Sequence, residues 1–178
     1  MPRRSRRSYR WLGIVIGVVL AGWASLESAD GMIGNPAPDI VNEVWLNSVP
    51  LRMADLKGKV VMVEFWTFGC YNCRNVEPYV KAWHKKYRDR GFVVIGVHSP
   101  EFNYEREIEK VQHYLRDHEI DYPVPIDNDF LTWNQYGNRY WPAMYLIDKS
   151  GVIRYQRVGE GGYQEIEQTI QSLLQENK

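Results

Sequence analysis

The spacing of apolar residues along the chain predicts alternating strands and helices. Residues 60–66 are apolar except for Glu64, a pattern typical of a strand that is buried on both faces of a parallel sheet. Over residues 76–87 the apolar positions instead recur at spacings of three and four, which predicts a helix. We expect this helix to end near Gly91 and a second buried strand to cover residues 92–97.

The segments on either side of this central unit predict an α/β fold with a mixed central sheet flanked by helices. Before it, residues 39–51 predict two short strands around Asn47 and Ser48, which would form an N-terminal β-hairpin extension. After it, helical and extended patterns alternate, and the chain closes with a strand pair and a helix. The later predicted elements are a helix at 105–118, an extended segment at 122–126, a short helix at 129–136, strands at 144–147 and 152–158 around a turn at 148–151, and a helix around 166–174.

A Cys-x-x-Cys motif, Cys70 to Cys73, lies between the first buried strand and the helix that follows it. The loop of residues 67–69 would deliver both cysteines to the first turn of the helix. Helix N-termini present unpaired N–H groups and the positive end of the helix dipole, and both favour a thiolate over a thiol. We therefore expect Cys70 to be exposed and reactive near neutral pH. Cys73 should lie buried one turn later, close enough to form a disulfide with Cys70.

The chain contains no other cysteine, so a zinc site would lack ligands at a suitable spacing. The alternatives for the pair are a structural disulfide or two buried thiols. A redox role is favoured because a buried strand, a loop and a helix start frame the motif, as they do in redox proteins.

Glu64 is the only charged residue in the apolar run of the first strand. Burial disfavours the charged form of a carboxyl group, so we expect the pKa of Glu64 to be raised. The alternative is a glutamate near the strand end whose carboxylate reaches solvent. His98 ends the second strand, where a lone histidine is more often a polar loop residue than a ligand or a base, so no role is assigned to it.

The first residues of the chain have the composition of a signal peptide or an N-terminal membrane anchor. Five arginines lie within the first ten residues, and residues 11–26 contain no charge. We expect residues 1–27 to be a basic segment followed by a hydrophobic signal or anchor, residues 28–38 a linker, and residues 39–178 the folded domain. By the positive-inside rule, the domain would lie outside the cytoplasm. Without those five arginines, 17 basic residues remain against 22 acidic ones, a net charge of −5, which argues against nucleic acid as a partner.

Residues 60–78 resemble the active-site segment of the thioredoxin superfamily. The overlapping residues 51–66 are similar to the TlpA/ResA-like extracytoplasmic branch of that superfamily. Residues 96–102 and 137–142 resemble the thioredoxin-like domain of DipZ-type proteins within this branch. The resemblance extends from about Gly34 to the C-terminus. It implies a thioredoxin-like fold and an extracytoplasmic thiol–disulfide oxidoreductase, and it favours the reduction of protein disulfides.

The resemblance also implies roles for individual residues. Cys70 would attack a substrate disulfide, Cys73 would resolve the mixed disulfide, and Glu64 would accept the proton of Cys73. The redox group would be the Cys70–Cys73 disulfide, with no other cofactor and no metal. Electrons would come from a membrane thiol carrier of the CcdA/DsbD type, and the N-terminal anchor would hold the protein at the membrane.

Four further residues belong to the implied site. The Trp141–Pro142 bond would be a cis peptide that faces the cysteines and binds the substrate. Sequence physics alone would not justify this assignment, since a trans proline at a strand start is the alternative. Trp66 and Pro78 would support the site structurally, with Pro78 as the proline that kinks the first helix.

Departures from the family pattern leave the substrate and the direction of the reaction open. Gly69 stands before Cys70, where many relatives have tryptophan, and the two residues between the cysteines do not define a reduction potential. The alternatives are a disulfide oxidase or isomerase, a copper-binding assembly module that uses both cysteines and His98, and a thiol peroxidase. A thiol peroxidase normally carries a Pro-x-x-x-Thr/Ser-x-x-Cys motif, and this chain offers only Thr67 near its cysteine.

Overall fold

The computed structural model describes residues 31–176, and the predicted N-terminal anchor lies outside the described residues. The strands, in chain order, are β1 (Trp45–Leu46), β2 (Val60–Trp66), β3 (Phe92–His98), β4 (Val124–Pro125), β5 (Ala143–Ile147) and β6 (Ile153–Val158). The α-helices are α1 (Tyr71–Tyr87), α2 (Ile108–Asp117), α3 (Leu131–Gln135) and α4 (Tyr163–Gln175).

A four-stranded mixed sheet with the strand order β3-β2-β5-β6 forms the centre of the fold. β2 and β3 are parallel, whereas β5 runs antiparallel to both β2 and β6. Because β2 has a neighbour on each side and is buried along its whole length, it is the central strand that its apolar run predicts. The predicted mixed sheet flanked by helices is confirmed.

Successive residues of β2 point to opposite faces of the sheet, so the strand contributes to two cores. One core contains both cysteines and receives buried side chains from α1, α2 and α4. The other core is covered by α3 and by residues that precede β2. On the first face lie Val60, Met62, Trp66 and, by the same alternation, Glu64; on the second lie Val61, Val63 and Phe65.

α1 carries its buried residues at the spacing that the sequence predicts, with Val76, Val80 and Trp83 in the first core. A 3₁₀ turn (Arg88–Arg90) follows and leads to Gly91, whose φ of 86° lies in the left-handed region that favours glycine. The chain can therefore turn directly from the helix into β3, as expected.

The predicted N-terminal β-hairpin is wrong. Within residues 39–51 only β1 is a strand, and its antiparallel partner is β4. Asn47 accounts for the difference, because it adopts a φ of 65° and cannot continue the strand. Its side-chain amide donates hydrogen bonds to the carbonyl groups of Ile120 (2.9 Å) and Tyr122 (3.0 Å), which tie this segment to the chain that leads into β4.

The helix predicted over residues 105–118 begins later, at Ile108. Residues Asn103–Arg106 form a separate 3₁₀ turn, in which the Glu105 side chain is fully buried. Its carboxylate accepts backbone N–H groups from the residues before the turn. The turn is therefore fixed by this side chain, and the helix starts only after it.

Residues 34–37 lie against the start of β6, where the N–H groups of Gly34 and Ala37 donate to the carbonyls of Ile153 (2.8 Å) and Gly151 (2.9 Å).

The division into an anchor, a linker and a domain stays a prediction. Within residues 31–176, none of the helices combines the length and the apolar character needed to cross a bilayer.

Candidate active site

Cys70 occupies the N-cap position of α1, directly after the loop that follows β2. Its backbone N–H donates to the carbonyl of Thr67 (3.2 Å), and its Sγ accepts the backbone N–H of Cys73 (3.2 Å). Both cysteines are free thiols. The predicted position of the motif in the first helical turn is confirmed, and the unpaired N–H groups of that turn stabilise a negatively charged sulfur.

The two thiols differ strongly in acidity. A hydrogen bond from the Cys73 thiol lowers the pKa of Cys70 to about 7, helped by backbone N–H groups and opposed by burial. Burial, together with the hydrogen bond to Cys70, raises the pKa of Cys73 well above that of an ordinary thiol. Near neutral pH, Cys70 is therefore available as a thiolate while Cys73 keeps its proton.

Glu64 is 2% exposed, so the alternative of a carboxylate that reaches solvent is wrong. It lies between β3 and β5, and its Oε2 accepts no hydrogen bond from any residue that the structure describes. Burial raises the pKa of Glu64 to about 8, and the negative charges of Glu77 and Cys70 contribute in the same direction. Glu64 in turn raises the pKa of Cys73, so the carboxyl group is linked electrostatically to Cys70, whose charge acts on it, and to Cys73, on which it acts.

His98 is fully buried, so its interpretation as a polar loop residue is wrong. Its ring is stacked on Phe68, with 5.7 Å between the ring centroids, and burial lowers its pKa to about 3. Its Nε2 lies 3.3 Å from the Oγ1 of Thr67, within the loop that leads to Cys70. The neutral imidazole therefore helps to hold that loop. This role depends on contact with Thr67, which lies 31 residues earlier in the chain.

The family resemblance implies four further site residues, Trp66, Pro78, Trp141 and Pro142. The Trp141–Pro142 bond is cis, as the resemblance implies. The indole N–H of Trp141 donates to the carbonyl of Ser99 (2.9 Å), which fixes the ring. Trp66 is buried at the end of β2, and Pro78 lies inside α1. Their roles in catalysis or binding stay predictions.

A depression of about 430 Å³ opens beside Cys70. We call it the Cys70 depression, and it is lined by residues 69–72, 101–102 and 139–141. Three of its aromatic side chains are strongly exposed: Tyr71 (68%), Phe102 (52%) and Tyr140 (62%). Cys70 itself is only 9% exposed, less than predicted, so a substrate must enter the depression to reach its sulfur.

The sequence pattern did not reveal the contact that supports one side of this depression. A Cβ atom on Gly69 would overlap the carboxylate of Glu105 and lie 2.5 Å from the hydroxyl oxygen of Tyr104. Glycine is therefore needed before Cys70 for these side chains to approach the active-site loop. The available signal was the glycine itself, in place of the tryptophan of many relatives, but its partners could be identified only from the fold.

Within the part of the chain that the structure describes, no group of three or more His, Cys, Asp or Glu side chains is arranged to hold a metal ion. The copper-binding alternative requires Cys70, Cys73 and His98 to act as common ligands. The structure does not bring these three side chains together in such a group.

Comparison with known proteins agrees with this geometry. The model of the AhpC/TSA family matches residues 33–156. The protein DipZ of Mycobacterium tuberculosis (strain CDC 1551 / Oshkosh) is 40% identical over 161 residues, which cover 88% of this chain and 22% of DipZ. The chain thus spans only 22% of the length of that relative.

Two further proteins match over most of their own length. The thiol-disulfide oxidoreductase YkuV of Bacillus subtilis (strain 168) is 28% identical over 144 residues, covering 80% of this chain and 97% of YkuV. The crystal structure of the thioredoxin-like superfamily protein SPOA0173 superimposes with a TM-score of 0.74 at 26% identity, covering 80% of this chain and 97% of that one. The predicted thioredoxin-like fold is confirmed.

Proposed function

This chain belongs to the AhpC/TSA family, and on that premise we propose that it is a thiol–disulfide oxidoreductase that reduces protein disulfides outside the cytoplasm. The observation that carries the proposal is the asymmetric dithiol at the N-terminus of α1. Cys70, with a pKa of about 7, is a thiolate near neutral pH, whereas the buried Cys73 stays protonated. One attacking and one resolving thiol are what the two-step reduction of a disulfide requires.

In the first step, the Cys70 thiolate attacks one sulfur of the substrate disulfide. The substrate S–S bond breaks, a mixed disulfide with Cys70 forms, and the other substrate sulfur leaves as a thiolate that takes a proton from solvent. In the second step, the deprotonated Cys73 attacks the Sγ of Cys70. The Cys70–Cys73 disulfide forms, the remaining substrate sulfur is released, and the substrate has gained two electrons and two protons.

Glu64 supplies the base for the second step, because Cys73 must lose its proton before it attacks. The negative charge of Cys70 is one of the causes of the raised pKa of Glu64, and this charge disappears when Cys70 enters the mixed disulfide. Glu64 therefore ionises more readily at the moment when a base is needed. The proton that it accepts can pass on to the departing substrate sulfur or to solvent.

The substrate binds in the Cys70 depression, with its backbone beside Pro142 as the family resemblance implies. The reaction needs no cofactor other than the Cys70–Cys73 disulfide, which must be reduced again after each turnover. A membrane thiol carrier of the CcdA/DsbD type supplies these electrons. The arginine-rich start and the uncharged residues 11–26 support anchoring at the membrane, with the domain on the outer side.

Stopped-flow measurement of the two steps tests the proposal. Cys73→Ser should accumulate a mixed disulfide between substrate and Cys70. Glu64→Gln should form the mixed disulfide at close to the wild-type rate but release it about 10²-fold more slowly, the low end of general-base effects. Glu43→Gln, at an exposed glutamate, is the matched control and should leave both steps unchanged.

Two results would contradict parts of the proposal. Equal release rates in Glu64→Gln and the wild type would remove Glu64 from the mechanism and leave solvent as the acceptor of the Cys73 proton. A Cys70–Cys73 reduction potential at or above about −120 mV, the range of a strong oxidant, would refute the reductase direction and favour the oxidase alternative.

A further inference from the structure

The exposed aromatic side chains near Cys70 have no part in the two chemical steps. Among the described residues, the strongly exposed aromatic side chains are Tyr71, Tyr79, Phe102, Tyr104 and Tyr140. Three of these five line the Cys70 depression. Clustered apolar groups on a surface mark contact sites, and aromatic residues are enriched at the centres of protein interfaces. The depression therefore has the composition of a binding surface for another polypeptide.

One wall of the Cys70 depression is formed by residues 101–102, and the segment 101–104 to which they belong is held by a buried carboxylate. The Oε2 of Glu105 accepts the backbone N–H groups of Glu101 (2.6 Å) and Phe102 (2.9 Å). Glu105 is fully buried, whereas the Phe102 side chain is 52% exposed. Both bonds have short donor–acceptor distances, so the pair fixes the backbone from which Phe102 projects.

Contact with the active-site loop fixes the same wall relative to the reactive cysteine. Glu105 and Tyr104 fill the space that a side chain at position 69 would need, which only Gly69 leaves free. The ring of Tyr104 is stacked on Phe102, with centroids 5.9 Å apart and planes 7° apart, and it also meets Phe68 at 5.7 Å. The wall is thus continuous with the loop that carries the cysteines.

Residues 139–141 form another part of the lining, where Tyr140 is 62% exposed and Trp141 is fixed by its bond to Ser99. Glu101 and Arg139 contribute one charge of each sign to the lining. Apart from the Cys70 thiolate, which every substrate must meet, the lining therefore favours neither an acidic nor a basic substrate by its net charge. Its exposed apolar groups are left to determine the preference.

We propose that residues 101–104 form a specificity wall and that the site takes an extended polypeptide with an aromatic or large apolar side chain next to its oxidised cysteine. That side chain packs against Phe102 and Tyr140. Glu105 acts through Phe102 and is a positioning residue. The inference rests on the proposed function, because it names the substrate class of the same site.

The test compares three substrates of the reduced, full-length protein. Two synthetic disulfide peptides differ only in the residue beside the cysteine, phenylalanine or serine, and 2-hydroxyethyl disulfide is the small substrate. The wild type should have the lower KM for the phenylalanine peptide. Phe102→Ser should raise that KM by roughly tenfold, the change expected from one lost aromatic contact, while the KM for the serine peptide changes far less.

Two variants control for effects on folding. Leu131→Ser removes an apolar side chain of equal exposure, 52%, that lies outside the Cys70 depression, and it should change no parameter. Glu105→Ala should reproduce the KM effect of Phe102→Ser by releasing the wall, and Glu105→Gln, which keeps an acceptor oxygen, should restore most of the preference. A loss of folded protein would instead lower the rates with all three substrates together.

The proposal is overturned if the wild type treats the two peptides alike, or if their KM ratio is unchanged in both Phe102→Ser and Glu105→Ala. Peptides with serine in place of cysteine separate this outcome from failure of the proposed function. Their affinities, measured by tryptophan fluorescence, should follow the same order in the wild type and lose it in Phe102→Ser. If the small disulfide is not reduced, the proposed function is wrong. The order of the peptide affinities then still shows whether the specificity wall prefers an aromatic side chain.

Discussion

Replacing Glu64 with glutamine should change how the stability of the protein depends on pH. Glu64 is 2% exposed, and burial raises its pKa from 4.5 to about 8. In the unfolded chain the carboxyl group is hydrated and returns to its ordinary pKa. Between pH 4.5 and about 8, the folded protein therefore holds a proton that the unfolded chain has released.

Because the folded state binds the additional proton, its free energy of unfolding falls as the pH rises through this range. The loss is complete above about pH 8, where the folded protein must bury the carboxylate ion. At about 1.4 kcal/mol per pKa unit, the full loss amounts to roughly 5 kcal/mol, of which about 3 to 4 kcal/mol develops between pH 5 and pH 8. Glutamine has nearly the same shape and carries no charge, so Glu64→Gln should lack this loss.

Urea unfolding of the reduced protein at a series of pH values, followed by tryptophan fluorescence, measures the effect. The quantity to compare is the difference in unfolding free energy between Glu64→Gln and the wild type. Both proteins contain Cys70, so the contribution of its titration largely cancels in this difference. It should be nearly constant below pH 4.5 and then grow by about 1.4 kcal/mol per pH unit up to about pH 8.

Glu43→Gln serves as the control, because Glu43 is exposed and the substitution removes a carboxyl group without altering the buried strand β2. A difference that does not vary with pH for Glu64→Gln would refute the conclusion that the Glu64 carboxyl is buried and neutral at low pH.

Further changes test the thiols, the wall and the location. The rate of Cys70 alkylation by iodoacetamide should rise with a midpoint near pH 7, and Cys73→Ala, which removes the leading hydrogen bond to Cys70, should move that midpoint upwards; an unchanged midpoint would contradict the assigned cause. Gly69→Ala should destabilise the protein by roughly 1–3 kcal/mol in urea unfolding, because the new methyl group overlaps Glu105; a neutral effect would contradict the close packing. An alkaline phosphatase fusion after residue 40 should be active, and activity confined to a cytoplasmic reporter would refute the extracytoplasmic location.

The predictable parts of the fold are those determined by local periodicity. Burial of β2 on both faces and the helical spacing in α1 are properties of short stretches of sequence, and both predictions are confirmed. The two errors, the N-terminal hairpin and the start of α2, arise where one polar side chain binds backbone groups. The amide of Asn47 bonds to residues more than seventy positions away, and Glu105 binds N–H groups just upstream of its own turn. Apolar periodicity does not report such bonds.

The chemistry of the site follows a similar division. Cys70, Cys73 and Glu64 could be selected because a helix start and an apolar strand define their surroundings locally. His98 could not, because its burial depends on Phe68 and on the packing of the loop above it. The specificity wall could not be predicted for the same reason, because residues 101–104 contact the cysteine loop only in the folded chain.

The position of Glu64 in the central strand determines both its effect on stability and its suitability as a base. A carboxylate at the surface would have a pKa near 4.5 and could not readily take a proton from Cys73, whose own pKa is raised by burial. Burial of Glu64 raises its pKa and so brings it closer to the pKa of Cys73. The same burial makes the folded protein less stable as the pH rises. The pH-dependent gain in stability and the slower release of the mixed disulfide in Glu64→Gln thus have a single physical cause. If Glu64→Gln showed the pH-dependent gain in stability but released the mixed disulfide at the wild-type rate, Glu64 would be buried without taking part in the proton transfer.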